Sequence, residues 1–148
     1  LIKESGIPYT IVHSTQFFEF LPGIAHSATD GDTVTVSSAH FQPIASDDVA
    51  DVMTEVAVAA PMNDVIEIGG PDTMRMSDLV ERFLDMTNDT RTVKADPHAR
   101  YFGAELDDRS LVPGTGARLG KVRFQEWFSR LLQRILLPIC LMFLCTLL

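Results

Sequence analysis

His13, Ser14, Thr15 and Gln16 stand in a row, and two aromatics, Phe17 and Phe18, follow them directly. The preceding residues, PYTIVHS (8–14), read as a strand, so the polar groups sit at a strand's carboxyl end. In open α/β sheets, ligands bind outside such ends. Hydroxyls, an amide and two flat rings there suit a ligand that carries an amide and a ring. The same phenylalanines suit an ordinary core equally well. A histidine like His13 is more often structural than functional.

Other chemistry-bearing patterns are weaker. The chain has four histidines, His13, His26, His40 and His98, and their spacing matches no metal signature. His98 lies beside Asp96 and Arg100, the pattern of a surface charge cluster. Gly114, Gly116 and Gly120 in GTGARLG superficially resemble a dinucleotide fingerprint. That fingerprint needs a preceding strand, a following helix and an acid further on, so GTGARLG reads as a flexible loop. IGGP (68–71) reads as a glycine turn leaving a strand. No G-x-S-x-G elbow is present, which leaves serine hydrolase chemistry without support.

The elements that would position these groups follow from periodicity. In the first strand Tyr9, Ile11 and Val12 are the apolar content, and Pro8 fits only the first position. Gly6 supplies the turn before it. From Thr15 the period becomes helical. Phe17, Phe20, Leu21, Ile24, Ala25 and Ala28 share a face, with a kink or break expected at Pro22-Gly23. TVTVS (33–37) alternates as a strand. Phe41 to Ala45 reads as another. Ser46 reads as a helix N-cap, with Asp47 and Asp48 in the first turn against the helix dipole. Val49, Val52, Met53, Val56, Ala57 and Ala60 form that helix's apolar stripe, and Pro61 stops it.

The unit then repeats in form. Asp64 to Gly70 is a strand with a glycine exit. Ser77 reads as the cap of a helix whose face is Leu79, Val80, Phe83 and Leu84, and RTVKA (91–95) as a short strand. Residues 96–130 are mixed and end in a short amphipathic helix with Phe124, Trp127 and Phe128 on one face, a cap on the layer. Strands alternating with helices predict an α/β fold with a parallel sheet.

The 148 residues carry a net charge of −8, which repels polyanions, so nucleic acid is not an expected partner. The only cysteines are Cys140 and Cys145, too few and too close to the terminus for a disulfide framework. The start, LIKESGIPYT, has no basic region followed by an apolar run, so a cytoplasmic setting is expected. Its first residue is Leu rather than Met, which points to a cut-out of a longer polypeptide. Ile135 to Leu148 is uncharged. As a helix it would span roughly 21 Å. A bilayer core of about 30 Å asks for roughly 20 residues. A membrane anchor is therefore not the favoured reading, and any membrane contact is left to residues 135–148. Two segments are expected: a body, 1–130, and an apolar tail, 131–148, outside the fold.

Several segments in order, IKESGIPYTIVHSTQFFEF, FQPIASDDVADVM, IEIGGPDTMRMSDLVERFL and ADPHARYFGAELDDRSLVPG, resemble the second half of atypical short-chain dehydrogenase/reductase proteins. The similar branch is the NmrA-like, NAD(P)-binding group, and the resemblance covers about residues 1–130. It implies a partial Rossmann-like fold, the C-terminal half only, of a parent that binds NAD(P). In that family the residues after this strand line the nicotinamide end, which maps to His13, Ser14, Thr15, Gln16 and Phe17. Phe18, Gln42, Pro43 and Ile44 would border the substrate pocket, and Asp48 would cap its helix. Many relatives hold Arg where this chain has His13, which weakens any charge-based role there.

The family's Gly-rich phosphate loop is not in this chain, and neither is its Tyr-x-x-x-Lys pair: Tyr9 is followed four later by His13, and Tyr101 by Glu105. The resemblance thus implies the substrate-side half of an oxidoreductase acting on a small carbonyl or quinone-like substrate. The chain alone is expected to be inactive and not to bind NAD(P) tightly. The alternative is a non-catalytic NAD(P)-binding redox sensor of the NmrA type.

Overall fold

The computed structural model describes the backbone of residues 1–145 and the side chains of residues 1–134. Of the apolar tail expected over 131–148, residues 135–148 lie outside the described side chains.

The chain opens with a 3-10 turn, Ile2–Glu4, and reverses at Gly6, whose φ of +72° an L side chain rarely adopts. Strand β1 is Thr10–Ser14. A 3-10 turn, Phe18–Phe20, leads into helix α1, Leu21–Ser27. Pro22 falls in the first turn of α1, where its missing N–H costs nothing, so the expected kink becomes a helix start. Strands β2 (Thr29–Asp30) and β3 (Thr33–Val36) form a hairpin. Strand β4 is His40–Phe41. Helix α2 spans Ser46–Val58 and strand β5 Asp64–Gly69. Strand β6 (Met74–Arg75) passes directly into helix α3, Met76–Met86. Strands β7 (Thr92–Ala95) and β8 (Arg118–Leu119) precede helix α4, Phe124–Cys145.

The fold is α/β. One sheet has the order β1-β5-β8, all parallel, with Val12 beside Ile66 and His13 beside Glu67. This arrangement is compatible with part of a Rossmann-like sheet. A second sheet has the order β2-β3-β7, and β4 pairs with β6.

Helix α2 lies on one face of the parallel sheet. Its Val49, Val52 and Val56 pack on Val12, Ile66, Ile68 and Ile44. By strand alternation Ile11, His13, Val65 and Glu67 point to the opposite face. There Ile11 and Val65 are only half-buried, and His13 and Glu67 are exposed. Parallel sheets are normally covered on both faces. Among the described residues, β1 pairs with β5 alone, so its outer edge is open.

The main core lies between α1, α3, β3 and the start of α4. Leu21, Val34, Phe41, Leu79, Val80 and Phe128 are buried in it. The faces read for α1 and α3 meet here: Ile24 and Ala25 on one, Phe83 and Leu84 on the other. Burying each such side chain stabilises by about 1.5–3 kcal/mol. Phe124, Trp127 and Phe128 dock the start of α4 into this core. Helix α4 runs unbroken through the boundary expected at residue 130. Leu131 packs against the core, and Arg130 and Arg134 both reach Asp47. Among the described residues, no helix is long and apolar enough to cross a membrane.

Three capping expectations give way. Ala45, with extended backbone, is the N-cap of α2, because the Ser46 hydroxyl is taken by Glu19 Oε1 at 2.7 Å. Asp48 turns inward and accepts the backbone N–H groups of Lys121 and Val122, each at 2.9 Å. Arg75, not Ser77, is the N-cap of α3. The strand expected over Phe41–Ala45 also differs. Only Phe41 belongs to β4, while Ile44 bridges to Phe17 in parallel fashion, its N–H donating to Gln16 O at 2.8 Å. Pro43 between them has no N–H for a continuous ladder. The stripe of α2 is only partly used: Val52 is buried, but Met53 is 49% exposed and Ala57 and Ala60 are exposed.

Candidate functional site

The site is built at the carboxyl ends of β1 and β5. Parallel pairing brings the two ends level, Ser14 beside Ile68, and the Thr15 N–H continues the ladder to Ile68 O at 2.9 Å. The chain then leaves the sheet, and residues 110–113 lie across the opening. A cavity of about 400 Å³ results, lined by His13, Ser14, Thr15 and Gln16 with Glu67 and Ile68 from β5 and Ser110–Pro113 from the loop.

Four of the sequence-predicted residues thus come together. Phe17 does not join them. It is half-buried, stacked on Phe20 at 5.5 Å between centroids, and packs with Ile44, Val52 and Ile68. Phe18 is buried in the main core against Phe124 and Trp127. Pro43 and Ile44 are fully buried and line neither this cavity nor its neighbour. Gln42 is buried as well, yet lines the adjoining cavity. Its Nε2 donates to Gly70 O at 2.8 Å and its Oε1 accepts from the Thr73 hydroxyl at 2.6 Å.

The adjoining cavity, about 510 Å³, shares Val112 and Pro113 with the first. His40, Asp108 and Arg109 line it, together with the Gly114–Ala117 loop. The Asp108 carboxylate is held below its usual range, chiefly by the hydrogen bond from Arg75 and also by His40. Glu67 connects the two cavities, since its Oε2 accepts the Gly114 N–H at 2.8 Å. Tyr9 and Tyr101 line neither cavity. Tyr101 lies near Ile24 and Met76, where burial raises its pKa and leaves its hydroxyl without a partner.

Residue-type patterns gave no hint of His40, Asp108 or the 110–113 loop. His40 enters no metal spacing, and the DDRS run (107–110) resembles a solvated loop. Glu67 carried one usable signal, as the outward-facing residue just before a strand's glycine exit. Strand β8 inside GTGARLG is only two residues long and exposed, too short for any periodicity to reveal.

The polar set fits a carboxamide. Thr15 Oγ1 is buried and lacks a hydrogen-bond partner, and the Ser14 hydroxyl and Gln16 amide line the same cavity. It does not fit a pyrophosphate. The lining of the first cavity has no Lys or Arg and includes the Glu67 carboxylate, which repels phosphate. Among the described residues, no group of three His, Cys, Asp or Glu side chains is placed to hold a metal ion.

A scan against protein-family models gives no match for this chain, and a search of curated proteins gives none.

Proposed function

We propose that this chain is the substrate-side half of an NAD(P)-dependent oxidoreductase of the short-chain dehydrogenase/reductase type, acting on a small carbonyl or quinone-like substrate. The observation that carries the reading is the convergence of His13, Ser14, Thr15 and Gln16 on one cavity at the carboxyl ends of two parallel strands. In this reading Thr15, Ser14 and Gln16 hold the carboxamide of the nicotinamide, which supplies a hydride when bound. The uncovered sheet face and the open edge of β1 support a second, cofactor-holding half that completes the sheet.

The DNA upstream of Leu1 tests the proposal. An in-frame Gly-rich βαβ unit is expected, and a stop codon immediately upstream would sink it. Calorimetry on the 148 residues alone should show no micromolar binding of NADPH.

The sensor reading draws support from the tyrosines. Neither Tyr9 nor Tyr101 lines a cavity at the strand ends, so no phenol is placed to move a proton there. Oxidation or consumption of NADPH by the polypeptide that carries this chain, with a panel of aldehydes and quinones, separates the two readings.

A further inference from the structure

His40, Asp108 and Arg75 come from three separate segments and meet beside the second cavity, which His40 and Asp108 line. Strands β4 and β6 place His40 directly opposite Arg75. The loop that carries Asp108 is tied to β4 by its backbone, with the His40 N–H donating to Asp108 O at 2.8 Å. The side chains repeat the connection. His40 Nδ1 lies 3.0 Å from Asp108 Oδ2, and Arg75 Nη1 donates to the other oxygen, Asp108 Oδ1. Arg75 is itself fixed by donating to Ser38 O at 2.9 Å.

The arrangement has a direction. Arg75 fixes the carboxylate, the carboxylate fixes the ring through Nδ1, and Nε2 has no hydrogen-bond partner among the described residues. A carboxylate on Nδ1 orients an imidazole for proton transfer at Nε2. The ring lines a cavity and its side chain is 36% exposed, so substrate can reach it from one side and water can recharge it. The other charged groups at this wall are Arg109 and Asp108 from the loop, and Arg75 from β6 pairs with Asp108. A structural ion pair needs no cavity, but a proton donor does.

We propose that His40 is the proton donor and acceptor of this site, with Asp108 and Arg75 as positioning residues, serving the oxygen of a small carbonyl or alcohol substrate. The inference rests on the oxidoreductase reading above and fills the role left open by the missing Tyr-x-x-x-Lys pair. When a carbonyl carbon receives hydride, the C=O π bond breaks and its electron pair moves to oxygen, which then lacks one proton. The Nε2–H of the His40 imidazolium supplies it. An O–H bond forms, the alcohol leaves, the ring is left neutral, and water returns the proton. The reverse reaction uses the neutral ring as base.

Two measurements on the polypeptide that carries this chain test the proposal. The first follows reaction of the histidines with diethyl pyrocarbonate by mass spectrometry, at a pH where the rings are neutral. An oriented, unblocked Nε2 should make His40 react at least about fivefold faster than His26, an exposed ring with no hydrogen-bond partner among the described residues, and Asp108→Asn should remove the advantage. A ring serving only as a structural tie would show a smaller advantage or none, and that result would overturn the proposal. The second measures NADPH consumption with the carbonyl panel. His40→Ala should lower kcat by about 100-fold or more, and added imidazole should restore part of it. Unchanged kcat in His40→Ala, or loss without rescue in a folded variant, would overturn the role of His40 and leave the oxidoreductase reading standing. No NADPH consumption by the unaltered polypeptide would overturn that reading and the His40 role with it.

Discussion

Asp48 Oδ2 accepts two consecutive backbone N–H groups, those of Lys121 and Val122, at 2.9 Å each. One buried carboxylate in the first turn of α2 therefore fixes the path of the chain between β8 and α4. Asp48→Ala removes the partner of both donors and leaves the Val122 N–H unpaired in a buried place. A loss of about 1–3 kcal/mol is expected, read as a lower midpoint in urea. If Asp48 were only a helix cap, exchange to Ser would be nearly neutral. We expect Ser to cost almost as much as Ala, since its shorter side chain cannot reach both N–H groups.

Gly70 and Gly23 should respond in opposite directions. A Cβ on Gly70 would overlap the carbonyl oxygen of Pro43, and the Pro43–Ile44 peptide, being backbone, cannot swing aside. Gly70→Ala should cost at least about 3 kcal/mol. A Cβ on Gly23, within α1, would meet nothing within 4 Å. Gly23→Ala should add about 0.5–1 kcal/mol. Thermal unfolding of both variants settles the contrast, and equal effects would contradict the packing described at Pro43.

Asp89 gives the stability of this chain an acid-side dependence. Arg91 donates to both its carboxylate oxygens, and this lowers its pKa from 3.8 to about 2. Because the folded value is the depressed one, the contribution is complete above about pH 4 and is lost as pH falls towards 2. The difference in Tm between the unaltered chain and Asp89→Asn should be constant at neutral pH and shrink below pH 4. A difference that stays constant down to pH 2 would show that the pair does not carry the effect.

Glu67 should act on the site without acting on the fold. It is exposed, and its hydrogen bond to Gly114 N ties the loop after Pro113 to β5. Glu67→Ala should shift the amide resonances of residues 114–117 while changing global stability by no more than about 1 kcal/mol. Resonances unchanged in that loop would mean the tie is not maintained in solution.

The parts of this fold that sequence makes visible are those set by local periodicity. The alternation in TIVHS and TVTV and the helical face of Leu79, Val80, Phe83 and Leu84 come from the amphipathic pattern itself, and each element lies close to where that pattern puts it. The carboxyl end of β1 was legible for the same reason, because the strand's last residues locate the polar run His13–Gln16. Contacts between distant segments were not. Asp48 looks like a helix-dipole residue until the 121–122 backbone arrives beside it. His40 and Asp108 lie 68 residues apart, and only the pairing of β4 with β6 and the return of the loop bring them together. Phe18 misled for a related reason: adjacent aromatics at a strand end look alike in sequence, yet the 3-10 turn sends this ring into the core, while Phe17 stacks on Phe20.

The open edge of β1 has a consequence for how copies of this chain behave at high concentration. TIVHS has no lysine, proline or bulge to blunt it, so the main protection against edge-to-edge association is the mutual repulsion of molecules that each carry −8. That repulsion reaches about 10 Å at 0.1 M salt and about 3 Å at 1 M. Salt is thus the variable that governs colloidal stability here, and a preparation that keeps well in dilute buffer should turn turbid as ionic strength rises.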